Sequence, residues 1–307
     1  MKILVTGGAG FIGSHIVNAY IHAGHDVIVI DNLSSGEMKL VNPKAIFYNL
    51  DIHSPEVKTV LEKEQITAIN HHAAQISVSA SVSNPLFDAN SNIIGTLQLL
   101  QNAVSLGIEK FIFASTGGAI YGEQETFPAS EEHPCRPLSP YAISKLCAER
   151  YINYFGTQHG LNTTVLRYSN VYGPHQNPHG EAGVVAIFCE RLLKGQQPII
   201  NGDGEQTRDF VYVKDIVQAN IIALNPQCTG LFNVGTGKET SVNFLTRCLV
   251  KASAIATSIE YGPARKGEQK RSVIDSGKLL NGFGWKPGVS VEEGLLETFN
   301  YFQNQTT

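Results

Sequence analysis

Short runs of apolar, largely β-branched residues punctuate the first 170 residues: ILV at 3–5, VIVI at 27–30, AIFY at 45–48, FIF at 111–113 and TTVL at 163–166. Between them lie stretches whose apolar positions recur three and four residues apart, the spacing of a helix face. Runs apolar on both sides suit strands covered on both faces, and strands alternating with helices predict a parallel, doubly wound α/β sheet of the Rossmann type. Two longer helices are predicted, from Pro85 to Leu106 and from Pro140 to His159. Beyond about residue 170 the rhythm gives way to loops rich in Gly, Pro, Asn and His, as in YGPHQNPHGEAG and PIINGDGEQTRDF. The expected organisation is a nucleotide-binding domain over 1–170, with later segments returning to it, and a smaller α/β lobe over 171–307 that binds substrate. No linker, repeat or low-complexity segment separates the two.

Composition narrows the function classes. Charged residues make up 16% of the 307 residues, against about 25% in an average domain, which favours extensive burial and a subunit interface. The exposed faces of the two long helices could form a four-helix dimer contact, or the helices could simply cover the sheet. A net charge of -4 without any Lys/Arg block argues against nucleic acid or an anionic membrane as partner. The five cysteines are widely spaced, so neither a metal site nor a disulfide framework is expected. No apolar run approaches the roughly 20 residues of a membrane span, and MKILVTGG leaves no room for a signal peptide. A soluble, cytoplasmic protein is the expectation.

Chemistry enters with TGGAGFIG at 6–13. Gly7, Gly10 and Gly13 form Gly-x-x-Gly-x-x-Gly, and Gly8, Gly10 and Gly13 form Gly-x-Gly-x-x-Gly. Glycine is required there because the turn after a strand needs positive φ, a side chain would block a pyrophosphate from the helix N-terminus, and helix and sheet must pack closely. Alone the string is weak, but it follows one predicted strand and leads to a second that ends in Asp31. A carboxylate there accepts hydrogen bonds from both adenosine ribose hydroxyls and repels a 2′-phosphate, favouring NAD over NADP. The alternative for Asp31 is a cap or turn leading into NLSSG. Asp51, at the end of FYNLD, could receive the adenine amino group, or be ordinary turn chemistry.

Tyr141 and Lys145 are four apart in a predicted helix and therefore share a face. A phenol near pKa 10 must be shifted by roughly 3 units, about 4 kcal/mol, to serve as a base near neutrality. A buried Lys145 ammonium together with a nicotinamide ring could supply this, and redox chemistry on an alcohol follows. Taken alone, the spacing is that of any amphipathic helix; the glycine loop, Asp31 and FASTGGAIYG give it weight.

The segments TGGAGFIG, DNLSSG, LDI, HHAAQ, NIIGT, FASTGGAIYG, YAISK, LRYSNVYGP, GDGEQTRDFVYV and RKGE resemble those of the extended short-chain dehydrogenase/reductases, and among these the UDP-galactose (UDP-glucose) 4-epimerases. The resemblance spans nearly the whole chain. It implies bound NAD, contacted by Phe11 and Ile12 beside the glycines, by Asn32, Ser35 and Gly36 after Asp31, and by Ile52 after Asp51. Ala73, Ala74 and Gln75 would follow, with Asn92 and Tyr168 near the nicotinamide. It implies a UDP-hexose substrate, with Asn170, Arg208 and Arg265 at the diphosphate, Glu268 at the uridine ribose, and Val184, Ile199 and Asn201 framing the nucleotide. Each arginine could instead be a surface salt bridge. The implied activity is interconversion of UDP-glucose and UDP-galactose through C4 oxidation, rotation of the 4-keto sugar and re-reduction, in a homodimer.

Departures from the family pattern carry information. Gly117 stands where the family usually has Ser or Thr, so the third catalytic hydroxyl passes to Thr116 or Ser115, or to a water. Gly118 and Ala119 stand where dehydratases and decarboxylases place acids, and neither can do acid/base work. Asn201 replaces an aromatic beside uracil. Ser272 replaces a bulky residue and is expected to leave room for an N-acetyl group, hence UDP-GlcNAc and UDP-GalNAc as further substrates. The competing readings are a UDP-glucuronate 4-epimerase or decarboxylase, and a non-catalytic NAD-binding regulator.

Overall fold

A computed structural model describes residues 1–179, 183–264 and 269–306. Its centre is a seven-stranded sheet in which every neighbouring pair is parallel. From one edge the strands run Gly230–Val234, Asn162–Tyr168, Lys110–Thr116, Ala68–His71, Lys2–Thr6, Asp26–Asp31 and Ile46–Asn49. All the expected strands are present, and Ala68–His71 and Gly230–Val234 are additional.

The alternation of side chains along each strand divides two cores between the faces of the sheet. Ile3, Val5, Val27, Val29, Ile112 and Leu166 pack on one face, with helices Phe11–His22 and Val213–Ala223 over them. Leu4, Ile28, Ile30, Phe111, Phe113 and Val165 pack on the other, beneath helices Glu56–Glu64, Gly95–Ser105 and Pro140–His159. Strand Gly230–Val234 and helix Val213–Ala223 come from the second half of the chain, the strand pairing with Asn162–Tyr168 and the helix packing on Phe11–His22. A third core gathers around Tyr172, Phe188, Tyr212, Leu245 and Phe299.

Helix Pro140–His159 has the expected limits. The Ser139 hydroxyl accepts the Ala142 N–H at 3.2 Å, Pro140 needs no acceptor in the first turn, and Gly160 ends the helix at φ +68°. The helix expected from Pro85 to Leu106 is instead two α segments, Pro85–Ala89 and Gly95–Ser105, joined by one wide π turn at Asn90–Ile94. Carbonyls of that turn go to side chains: His53 Nε2 pairs with the Asn90 carbonyl at 2.9 Å, and Thr96 Oγ1 donates to the Asn92 carbonyl at 2.7 Å.

Candidate functional site

In the sheet, the chain moves outward in opposite directions from the central strands Lys2–Thr6 and Ala68–His71. Loops leaving their carboxyl ends diverge and open a crevice, the usual ligand position in such sheets. The glycine loop, the HHAAQ segment and STGG all leave strands here.

The glycine loop is built for close approach. Gly7 has φ +69°, and a Cβ on it would lie 2.7 Å from the Ala73 nitrogen, while a Cβ on Gly13 would collide with the Gly7 carbonyl. A Cβ on Gly10 would meet only that carbonyl, leaving an open side at the N-cap of helix Phe11–His22. First-turn N–H groups have no acceptor within their own helix, so those of Phe11, Ile12 and Gly13 suit a pyrophosphate. Asp31 is buried beneath the loop, its Oδ2 accepting from the Ala9 N–H at 3.0 Å and its Oδ1 from the Leu33 N–H at 2.9 Å. A carboxylate fixed in this way has lone pairs left for a ribose diol. Gly36 packs against Ala9, and Ser35 is exposed beside it. These residues fit a dinucleotide.

Asp51 is engaged on both oxygens. Asn32 Nδ2 donates to Oδ2 at 2.8 Å, and the His53 N–H donates to Oδ1 at 2.9 Å. Burial pushes this carboxyl up, but those bonds outweigh it and hold it below the usual range. Ile52, buried, follows it.

The Gln75 segment is clamped by Asn92, which accepts the Gln75 N–H at 2.9 Å and donates to its carbonyl at 2.9 Å. The side chains of Gln75 and Asn92 both bond Asp88, at 2.9 and 3.0 Å. Their hydrogen-bonding groups are therefore spent within the protein, and this loop offers a ligand Ala73, Ala74 and main chain.

The catalytic candidates converge. Tyr141 lies partly buried in the first turn of its helix, on the side of Thr116. Lys145, buried one turn on, donates to the Ala114 carbonyl at 3.0 Å, 4.7 Å from the centre of the Phe113 ring. Burial, reinforced by the Asp88 charge and eased by the Thr116 hydroxyl, pushes Tyr141 up to about 12. Burial lowers Lys145 to about 8, against the pull of Asp88 and Glu149. Burial thus keeps the phenol of the chain by itself protonated at neutral pH.

Two expected roles are corrected by strand geometry. Ser115 points away from Thr116, as neighbours on a strand must, and its hydroxyl donates at 2.5 Å to Glu149, buried in an ion pair with Arg167. It is not available to a sugar. Tyr168 likewise turns into the body, where Asn220 Nδ2 donates to its hydroxyl at 2.9 Å. Only its main chain serves the crevice, its carbonyl accepting the Gly117 N–H at 2.7 Å and the Gly118 N–H at 3.3 Å.

On the sugar side, a Cβ on Gly117 would stand 2.7 Å from Ile274 Cδ1, whereas one on Gly118 would stand 3.3 Å from Asn170 Oδ1 and 4.0 Å from Thr116 Oγ1. A side chain at 118 would therefore project between Thr116 and Asn170. The Asn170 Oδ1 is buried with no hydrogen-bond partner among the described residues. Arg208, partly buried, donates to the Thr207 carbonyl at 2.8 Å on a strand paired with Thr240–Ser241. Val184 opens helix Val184–Leu193, and Ile199 and Asn201 bound a strand paired with Glu260–Gly262. Ser272 is 2% exposed, its N–H bonded to the Thr207 carbonyl at 3.2 Å. So enclosed a side chain does not line open space, and the expected room for an N-acetyl group is not found at that position. Arg265 and Glu268 lie outside the described residues.

The sequence profile of the NAD dependent epimerase/dehydratase family matches residues 3–235. The chain belongs to this family. Among family members, a putative UDP-glucose 4-epimerase of Methanocaldococcus jannaschii is 46% identical over 302 residues, 98% of both chains. The crystal structure of a Thermotoga maritima UDP-glucose 4-epimerase with UDP-glucose is similar over 100% of both chains, with 48% identity and a TM-score of 0.97. That of the Thermus thermophilus UDP-glucose 4-epimerase with NAD is similar over 99% of both, with 43% identity and a TM-score of 0.94. Family members with other activities are also related, including a dTDP-glucose 4,6-dehydratase of Actinoplanes that is 34% identical over 320 residues. Family membership therefore carries the fold and the NAD dependence, and the choice among activities falls to the side chains around Tyr141.

Asp88, Ser144 and the Glu149–Arg167 pair escaped sequence reasoning. The one available signal was Asp88 four residues before Asn92, which places a charge and an amide on the same helix face.

Proposed function

We propose that the protein is an NAD-dependent UDP-hexose 4-epimerase that interconverts UDP-glucose and UDP-galactose. The observation that carries this reading is that Thr116 and Asn170 border a position, Gly118, that has no side chain, beside the helix whose first turn holds Tyr141. An acid at 118 would reach between Thr116 and Asn170, as elimination of a sugar hydroxyl would require. Without one, the groups at hand move a proton on and off a single hydroxyl.

The chemistry NAD supplies when bound is reversible hydride acceptance, so oxidation and reduction at C4 cancel. Tyr141 takes the proton of the sugar 4-hydroxyl and later returns it, with Thr116 holding the phenol oxygen. From about 12, bringing Tyr141 near neutrality takes roughly 7 kcal/mol of favourable electrostatics. The Lys145 ammonium and the positive nicotinamide are the charges for this, inside a site that screens little. Lys145 would also hold the nicotinamide ribose. Arg208 suits the diphosphate, as does Asn170, whose amide can turn its NH₂ toward an anion. Anchoring at the diphosphate leaves the 4-keto sugar free to turn over and present its other face.

The reading includes a cytoplasmic homodimer. The five cysteines are unpaired, as in a reducing compartment. Leu86 and Phe87 on Pro85–Ala89, Ile94 on the wide turn and Ile143, Tyr151 and Tyr154 on Pro140–His159 lie exposed, apolar side chains that suit a second copy. Sedimentation showing a monomer at micromolar concentration would remove the dimer.

Product analysis with UDP-galactose and UDP-N-acetylgalactosamine, side by side, tests the activity. We expect UDP-glucose from the first. Tyr141→Phe should abolish turnover while UDP-galactose still binds by calorimetry; a rate within tenfold of wild type would refute the base assignment.

A further inference from the structure

Asp88 is fully buried on helix Pro85–Ala89. Its Oδ1 accepts from Gln75 Nε2 and Asn92 Nδ2, and its Oδ2 accepts from Ser144 Oγ at 2.5 Å. Three donors on two oxygens is the pattern of a carboxylate. The three partners belong to the cofactor-side loop, the wide turn and the catalytic helix, where Ser144 precedes Lys145. An amide could make the same three links, its oxygen accepting two and its NH₂ donating to Ser144 Oγ, so the links alone do not require a charge. A buried charge is costly unless it is paired or used.

We infer that Asp88 is a positioning residue whose negative charge keeps Lys145 in its ammonium form behind Tyr141, while its hydrogen bonds fix the catalytic helix against the Gln75 loop. This deepens the epimerase reading and rests on it. Two anions act on Lys145, Asp88 first and Glu149 second, and Glu149 is already paired with Arg167 at 2.6 Å. From the neighbouring strand end, His71 and His72 face Lys145 as neutral rings: burial, then the Lys145 charge, holds His71 well below its ordinary value and His72 at about 3. Thr116 is the uncharged partner of Tyr141. Asp88 is thus the carboxylate acting on Lys145 without a cation bonded to it among the described contacts. The same charge disfavours the Tyr141 phenolate, so the bound cofactor must overcome it.

Asp88→Asn isolates the charge. Its Oδ1 can still accept from both amides, and its Nδ2 can donate to Ser144 Oγ. Without the anion, Lys145 and Tyr141 both lose protons more readily, so both limbs of the pH–rate profile should move to lower pH by about one unit. Ser144→Ala, which keeps the carboxylate, should leave the limbs in place. Asp88→Ser is a second way to remove the charge, should the asparagine variant fail to fold. A readout independent of turnover is the ultraviolet phenolate titration of the NAD-bound protein, taken as the difference from Tyr141→Phe, which should show the same downward shift in Asp88→Asn. Unmoved limbs and an unmoved titration in the charge-removing variants would overturn the proposal, as would an equal shift in Ser144→Ala. A wild-type protein that turns over no UDP-hexose yet shows the titration shift would count against the epimerase reading and leave the Asp88 coupling standing.

Discussion

Restoring a hydroxyl at position 117 tests whether Gly117 is a lost catalytic group or a packing requirement. The Cβ of Gly117→Ser would lie 2.7 Å from Ile274 Cδ1 and 3.3 Å from the Arg167 carbonyl. Ordinary carbon contacts are about 3.5–4.0 Å, so the methyl must retreat by close to an ångström. Ile274 is fully buried against Ile120, Tyr121 and Ala129, and its N–H points to Asp209 at 3.4 Å. With little room to retreat, the substitution should cost about 1–3 kcal/mol. Ile274→Val removes the colliding methyl and should cost about 0.5–1.5 kcal/mol by itself. The double variant should be no less stable than Ile274→Val, a coupling of about 1–3 kcal/mol in a four-protein urea-unfolding cycle. Gly117→Ser within 0.5 kcal/mol of wild type, or additivity to about that margin, would refute the packing argument. With Thr116 as the hydroxyl beside Tyr141, the double variant should also turn over at the rate of Ile274→Val. A tenfold gain, about 1.4 kcal/mol at the barrier, would show that a hydroxyl at 117 limits the reaction.

Thr116→Val, which keeps the shape and removes the hydroxyl, should lower turnover about 10²-fold with UDP-galactose binding unchanged by calorimetry; an unaffected rate would return the third catalytic role to water. Glu149→Ala should cost about 3–5 kcal/mol in chemical unfolding, because it strands the Arg167 guanidinium, whose Nε and Nη2 bond Glu149 at 3.0 and 2.6 Å. A loss under about 1 kcal/mol would mean that water reaches Arg167 as an exposed pair allows.

The sheet and the cofactor end were legible because their signals are local. Apolar runs mark the strands, and Gly13 and Asp31 are fixed within one strand–helix–strand unit, by the Gly7 carbonyl and by the Ala9 and Leu33 N–H groups. Strand Ala68–His71 was harder to read because half of it is Asn70 and His71, polar residues buried by partners elsewhere: Thr6 for His71 and Tyr20 for Asn70. Gly230–Val234 joins the sheet from across the chain, which no local pattern announces. Ser115 and Tyr168 lie in the right segments, yet their side chains point to the wrong side of the strand for the roles expected. Asp88 looks like a surface acid in NPLFDANSN and becomes a buried hub only when the catalytic helix packs over it.

The wide turn at Asn90–Ile94 also fixes where this region can lose a residue. A π turn holds one residue more than an α turn, and each residue of an α-helix advances it by about 100° around its axis. Deleting any single residue from 90 to 94 would give an unbroken α-helix, with intrinsic helix formation undisturbed. Because the wide turn spreads its extra residue over about the same rotation, such a deletion would leave Pro85–Ala89 facing as it does, and would instead remove the loosened carbonyls that bond His53 and Thr96. Most surface helices tolerate a change of one residue near an end. Here the wide turn is the place where one residue can be lost with Asp88 still facing Ser144, whereas a deletion just after it, at the start of Gly95–Ser105, would turn the two segments by about 100° against each other and separate the cofactor loop from the catalytic helix.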